Sequence, residues 1–200
     1  MVDSALDSGT IVLLDATTIQ CRPIRRADRE ALQRFHGRHS DASIYWRFFH
    51  AQPALSDAQA SYFTDVDGVN RFALVALDPH DPNEIIGVAR FDREPGSERA
   101  EYAAIVADAY QRHGLGRQLT RRLIDAARRQ GVTVFRAYVL PENLAMITLL
   151  RHLARPEVVL FEDGVECIDV DLHGDDPLAT ALHPSHEQAA VILPDPAAVT

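Results

Sequence analysis

Between Thr17 and Ile24 apolar and polar residues alternate as in a half-buried strand. The spacing then becomes helical: after Arg25-Arg26-Ala27-Asp28, residues Ala31, Leu32, Phe35 and His39 recur on one side. A second short helix is expected from Asp41 to Phe49, capped by Ser40 or Asp41, and a third over 56–66, capped by Ser56. Two strands follow, Arg71 to Leu77 and Glu84 to Asp92, joined by the turn Asp78-Pro79-His80-Asp81-Pro82-Asn83. A further strand, Glu98 to Asp108, comes after a hairpin turn at Arg93 to Ser97. Downstream, β and α segments alternate. Gly114 to Gln130 reads as a helix with Leu115, Leu119, Leu123, Ala126 and Ala127 facing inward, and Gly131 stops it. Thr133 to Leu140 is a strand broken by Pro141, and Asn143 to Ala154 a helix. The last strands, Glu157 to Phe161 and Cys167 to Leu172, turn at Glu162-Asp163-Gly164. Residues 1–16 carry little pattern and are expected to form a flexible arm; residues 173–200, rich in Pro, Ala, His and Asp without period, a flexible tail. The expected fold over 17–172 is α/β (α+β): a mixed, mostly antiparallel sheet of six to seven strands flanked by helices, with a β-α-β unit at its centre.

At 200 residues the chain suffices for one sizeable core, and 46% hydrophobic with 24% charged residues is ordinary for a soluble domain. No apolar run is long enough for a membrane helix, and Met1-Val2-Asp3-Ser4 lacks the basic start and apolar stretch of a signal peptide. The expected location is therefore cytoplasmic. A net charge of −9 argues against a nucleic-acid partner. All 20 basic residues are arginine. Without lysine, Walker-type phosphate binding, Schiff-base chemistry and a lysine general base are excluded. Cys21 and Cys167 fall in expected strands and read as buried free thiols. His36 with His39, and His183 with His186, are closely spaced, but no third ligand joins them, so no metal is expected.

The densest signal is the passage from the strand Ala103-Ala104-Ile105-Val106 into Gln111-Arg112-His113-Gly114-Leu115-Gly116-Arg117 and then a helix. Two glycines at a strand-to-helix turn let the backbone approach a ligand closely. The free N–H groups and positive dipole end of the helix suit a pyrophosphate. Arg112, Arg117, Arg121 and Arg122 reinforce that charge, opposed before Gln130 by Asp125 alone; His113 contributes only its backbone. A tight turn alone would explain two glycines, but not the arginines around them.

This segment resembles the pyrophosphate loop, Q/R-x-x-G-x-G/A, of the GNAT superfamily of N-acetyltransferases. The likeness runs from about Thr17 to Leu172. It is closest to the bacterial protein lysine acetyltransferases, through Ser43-Ile44-Tyr45-Trp46-Arg47-Phe48-Phe49, through Ala100-Glu101-Tyr102-Ala103, and through Asn143 with Met146. The resemblance implies acetyl-CoA as co-substrate and an amine acceptor, a protein lysine or a small amine; a non-catalytic acyl-CoA-binding module is the competing class. It implies Glu101 as general base, the chemistry that an ammonium with a pKa of about 10.4 requires before it can attack a thioester. Strand alternation sets Glu101, Ala103 and Ile105 on one face. The strand over Ala104 to Val106 is expected to splay from that over Thr133 to Leu140. A backbone N–H near Ile105 or Val106 would then polarise the acetyl carbonyl, with Asn143 bonding the coenzyme or capping its helix. Two departures stand out: Leu150 where many members carry tyrosine, and Ala154-Arg155 in place of Gly-Phe. The aromatic group Tyr45, Trp46, Phe48 and Phe49 is expected to serve the acceptor cleft or the core, Arg47 an ion pair or the substrate, and the protein to be a monomer or homodimer.

Overall fold

The structure, a computed structural model, describes residues 7–153, 156–162 and 164–173, with the backbone alone for 156–159 and 162. The elements in chain order are β1 (Gly9–Val12), β2 (Thr18–Pro23), α1 (Arg29–Gly37), α2 (Asp41–Phe48), α3 (Asp57–Thr64), β3 (Arg71–Leu77), β4 (Ile85–Asp92) and β5 (Arg99–Val106). Then follow α4 (Leu115–Arg129), β6 (Val134–Val139), α5 (Leu144–Leu153), β7 (Pro156–Glu162) and β8 (Val165–Asp171). One sheet of eight strands runs β1-β2-β3-β4-β5-β6-β8-β7. Every neighbouring pair is antiparallel except β5 with β6.

The period of two explains why the central strands hold the molecule together. On β3, Phe72, Leu74 and Ala76 enter one core cluster with α4, while Ala73, Val75 and Leu77 enter a second with α1 and α3. Leu115, Leu119 and Leu123 of α4 are fully buried in the first. Each such leucine contributes about 1.5–3 kcal/mol. Ser56 caps α3 by accepting from the Gln59 N–H while its own N–H donates to Gln59 Oε1, and Ser40 caps α2 by accepting from the Ser43 N–H at 3.3 Å.

One expectation is corrected. Residues 9–12 of the supposed flexible arm form an edge strand, which also raises the strand count from six or seven to eight. Ile11 and Leu13 are buried while Thr10 and Val12 face solvent. Four residues of alternation are too few to stand out, and the turn back to β2 lacks glycine. Ala16 takes the left-handed conformation there (φ 66°), and the Leu13 N–H donates to the Thr17 carbonyl. Residues 1–6, the tail from 174, Ala154-Arg155 and Asp163 lie outside the described residues.

Candidate active site

Pairing of the parallel strands β5 and β6 begins at Arg99↔Val134 and ends at Tyr102↔Ala137, although both strands continue, to Val106 and Val139. Between the diverging ends lies a cleft of about 800 Å³. Residues 102–106 form one wall, residues 137–139 and the start of α5 the other. Which backbone groups face it follows from the antiparallel neighbour. The Ala107 N–H donates to the Ile86 carbonyl of β4. Alternation turns Ile105 to β4 as well, and presents the Ala104 and Val106 N–H groups to the cleft. Of the two residues expected to offer an amide, Val106 faces the opening, while Ile105 lines it with its side chain and bonds toward β4.

The cleft runs into the glycine turn. Arg112 (φ 64°) and Gly114 (φ 86°) are both left-handed, which gathers successive N–H groups at the start of α4. A side chain at Gly114 would be strained by that φ and would also meet Leu14 Cγ at 3.5 Å. Gly116 sits against Val106, whose Cγ2 would be 3.6 Å from an added Cβ. No acidic residue lies in the first turn of α4. The Arg112 and Arg117 side chains line the cleft with no hydrogen-bonding or ionic partner among the described residues. Arg122, expected to serve the anion, is used otherwise: its Nη2 donates to the Thr10 carbonyl at 2.7 Å and anchors β1. The His113 carbonyl accepts from the Leu14 N–H, and its ring lies 3.6 Å from Asp15, so the β1–β2 turn braces the loop.

Gln111 points inward. Its Nε2 donates to the Val106 carbonyl at 3.0 Å and to Asp108 at 2.9 Å. Asp108, which sequence reasoning missed, also accepts from the Ser40 N–H at 2.8 Å and the Ser43 hydroxyl at 2.6 Å. One exposed carboxylate thus ties the start of α2 to the loop. Burial pushes its pKa up, but the bonds from Ser43 and Ser40 outweigh that and hold it below the usual carboxylate range. Asn143 Oδ1 accepts from the Met146 N–H at 3.1 Å and caps α5, while its amide NH2 remains without a partner among the described residues. Leu150 is buried in the core beside α4 and offers no proton.

Glu101 stands exposed at the α2 end of the cleft, together with Trp46, Arg47 and Phe49. Tyr102 is no acid: burial pushes its phenol far up, and the hydroxyl is 2.8 Å from Thr120 Oγ1. Tyr138 of β6, half-exposed, lines the cleft and was not anticipated; nothing but register marked it. Among the described residues no cluster of three His, Cys, Asp or Glu side chains suits a metal, and no helix is long and apolar enough to cross a membrane.

A splayed parallel strand pair feeding a glycine-rich helix start defines a transferase class that binds a nucleotide coenzyme along bared main chain. The chain belongs to the Acetyltransferase (GNAT) family, whose profile matches residues 33–154. It is 36% identical over 129 residues to the acetyltransferase PA5475 of Pseudomonas aeruginosa, covering 64% of this chain and 65% of that protein. It is 34% identical over 157 residues to the acetyltransferase Pat of Mycolicibacterium smegmatis, covering 76% of this chain and 45% of Pat. The chain therefore spans less than two thirds of either curated relative. The crystal structure of the GNAT domain of S. lividans PAT superposes with a TM-score of 0.77 at 34% identity, over 84% of this chain and 98% of that one.

Proposed function

We propose that the protein transfers the acetyl group of acetyl-CoA directly to the ε-amine of a protein lysine, with Glu101 as general base. The observation that carries this reading is the end of β5–β6 pairing at Tyr102, which leaves the Ala104 and Val106 amides free beside a cationic, glycine-turned helix start. Pantetheine amides would continue the ladder along that edge, and the diphosphate would take the N–H groups of 114–117 with Arg112 and Arg117. Asn143 would donate its spare amide. Glu101 takes one proton from the ammonium; the nitrogen then attacks the acetyl carbon, polarised by the Val106 N–H. The C–S bond breaks with its electron pair going to sulfur, and the proton left on the nitrogen passes through water to the departing thiolate. No covalent enzyme intermediate is needed, and positioning supplies much of the rate. The choice of lysine rests on the motif at 43–49, 100–103 and 143, and on relatives named Pat. Two buried free thiols, that of Cys21 pushed up to about 11 by burial, suit a reducing cytoplasm.

The test is acetylation of a cell lysate by the purified protein, with mass-spectrometric mapping of new acetyl-lysines. New sites with wild type and none with Glu101→Gln support the reading. Acetyl-CoA bound but never consumed, equally by both proteins, would favour the binding module; turnover with small amines alone would move the acceptor class.

A further inference from the structure

Resting on that reading, we infer that Arg47 forms a carboxylate-binding subsite beside the reacting amine, so that the preferred lysine has an aspartate or glutamate next to it. Arg47 is half-buried and lines the α2 end of the cleft together with Glu101. Among the described residues it makes no hydrogen bond and no ion pair; its guanidinium carbon lies 5.0 Å from the centre of the Phe48 ring. Two other half-buried arginines are satisfied: Arg22 holds Asp28 through two bonds of 2.7 Å, and Arg136 holds Asp169 at 2.8 and 2.9 Å.

The neighbourhood explains why Arg47 has no carboxylate. Asp92, the nearby candidate, is already shared: Arg90 bonds both of its oxygens, at 3.0 and 3.1 Å, and Arg71 donates to it at 3.1 Å. Arg90 and Arg71 thus divide Asp92 between them and leave no share for Arg47, in a chain whose net charge is −9. The remaining acid is Glu101, and a pair between them would hinder the base from taking a proton. An unpaired, partly desolvated cation is costly, and the expense is recovered when an anion arrives. Burial, with Arg90 beside it, lowers the Arg47 guanidinium to about 10, so it remains charged at neutral pH. Trp46 and Phe49 add aromatic walls at this end of the cleft, and a forked Arg–carboxylate bond is the strong geometry for such a pair. The glycine turn proposed for the coenzyme phosphates follows the Val106 end of β5, whereas Glu101, which acts electrostatically on Arg47, lies near the start of that strand.

Blocked peptides with a single lysine, flanked on one side by Glu or by Gln, test this with the full 200-residue chain and thiol release from acetyl-CoA. Wild type should favour a Glu peptide by about tenfold in kcat/KM, chiefly through KM. In Arg47→Gln the ratio should fall to about one with the KM for acetyl-CoA unchanged. Arg47→Lys should keep only part of the preference, because an ammonium lacks the fork. Equal use of the peptides by wild type, which no folding defect can explain, overturns the subsite. So does an Arg47→Gln protein that raises the KM for acetyl-CoA and keeps the ratio. If peptides are refused but free amino acids are acetylated in preference to their amides, the subsite stands and the lysine reading falls. If no amine is acetylated, both fall.

Discussion

At the α4 end of the cleft the protein offers main chain: the left-handed pair Arg112 and Gly114, the first-turn amides of α4 and the Val106 edge, with Arg112 and Arg117 side chains that have no partner among the described residues. At the α2 end it offers side chains: Glu101, Arg47, Trp46 and Phe49. The difference matches what each end would meet. A coenzyme is the same molecule at every turnover, so fixed amides can be set for it once. An acceptor varies among proteins, and side chains can be exchanged without disturbing the backbone. Mutations should therefore separate cleanly, those at one end moving coenzyme affinity and those at the other moving turnover or the acceptor's KM.

The largest effect expected is at Glu101. Glu101→Gln keeps shape and hydrogen-bonding capacity but cannot accept the ammonium proton, and kcat should fall by about 10²–10⁴-fold. Acetyl-CoA affinity, read by calorimetry on the same protein, should stay within about twofold. A parallel loss of affinity would show that Glu101 shapes the coenzyme end as well, and the division would fail. Next comes Gly114→Val. A left-handed L-residue costs about 1–2 kcal/mol, and a β-branched one more. Relief would tilt the turn and scatter its amides, weakening acetyl-CoA by about 10–100-fold while the KM for the acceptor changes little.

The two ends also differ in how far the sequence discloses them. The glycine turn is readable because left-handed turns and close approach demand glycine at fixed spacing, a local requirement that one chain segment satisfies alone. Strand alternation groups Glu101 with Ala103 and Ile105, and the resemblance at 100–103 is what singles it out. Contacts across long separations were hidden. Arg122 reads as a phosphate ligand until β1 folds over it and takes its guanidinium through Thr10. Asp108 reads as the last residue of a strand, since the bonds that define it reach back to Ser40 and Ser43. The choice of Val106 over Ile105 depends on register against β4, which no local pattern encodes.

Asp108 joins the two ends, so its substitution should blur the division. In Asp108→Asn an amide replaces an acceptor that receives three donors, and one donor must go unmatched. The carboxylate is exposed, so the loss of stability should be about 1 kcal/mol. The KM values for acetyl-CoA and acceptor should rise together, by about three- to tenfold. A carboxyl held below its ordinary range adds stability that is complete above its unfolded pKa of about 3.9 and fades as pH falls through the lower folded value. The melting difference between wild type and variant should thus be full at pH 6 and shrink below pH 4. A difference constant across that range would mean the network acts by shape alone.

The smallest effect separates two roles of a single side chain. Asn143 lines the cleft and caps α5 through Oδ1, and its NH2 group has no partner among the described residues. Asn143→Ser keeps a capping oxygen and loses the amide donor; Asn143→Ala loses both. Serine caps about as well as asparagine, whereas alanine costs about 1 kcal/mol. Serine should therefore melt near wild type and alanine a few degrees lower, at roughly 2–4 °C per kcal/mol for a domain this size. If the amide also bonds the coenzyme, both variants lose the same three- to tenfold of acetyl-CoA affinity, the worth of one neutral hydrogen bond. Serine binding as tightly as asparagine would confine residue 143 to the helix end, and coenzyme recognition on that wall of the cleft would then fall to main chain alone.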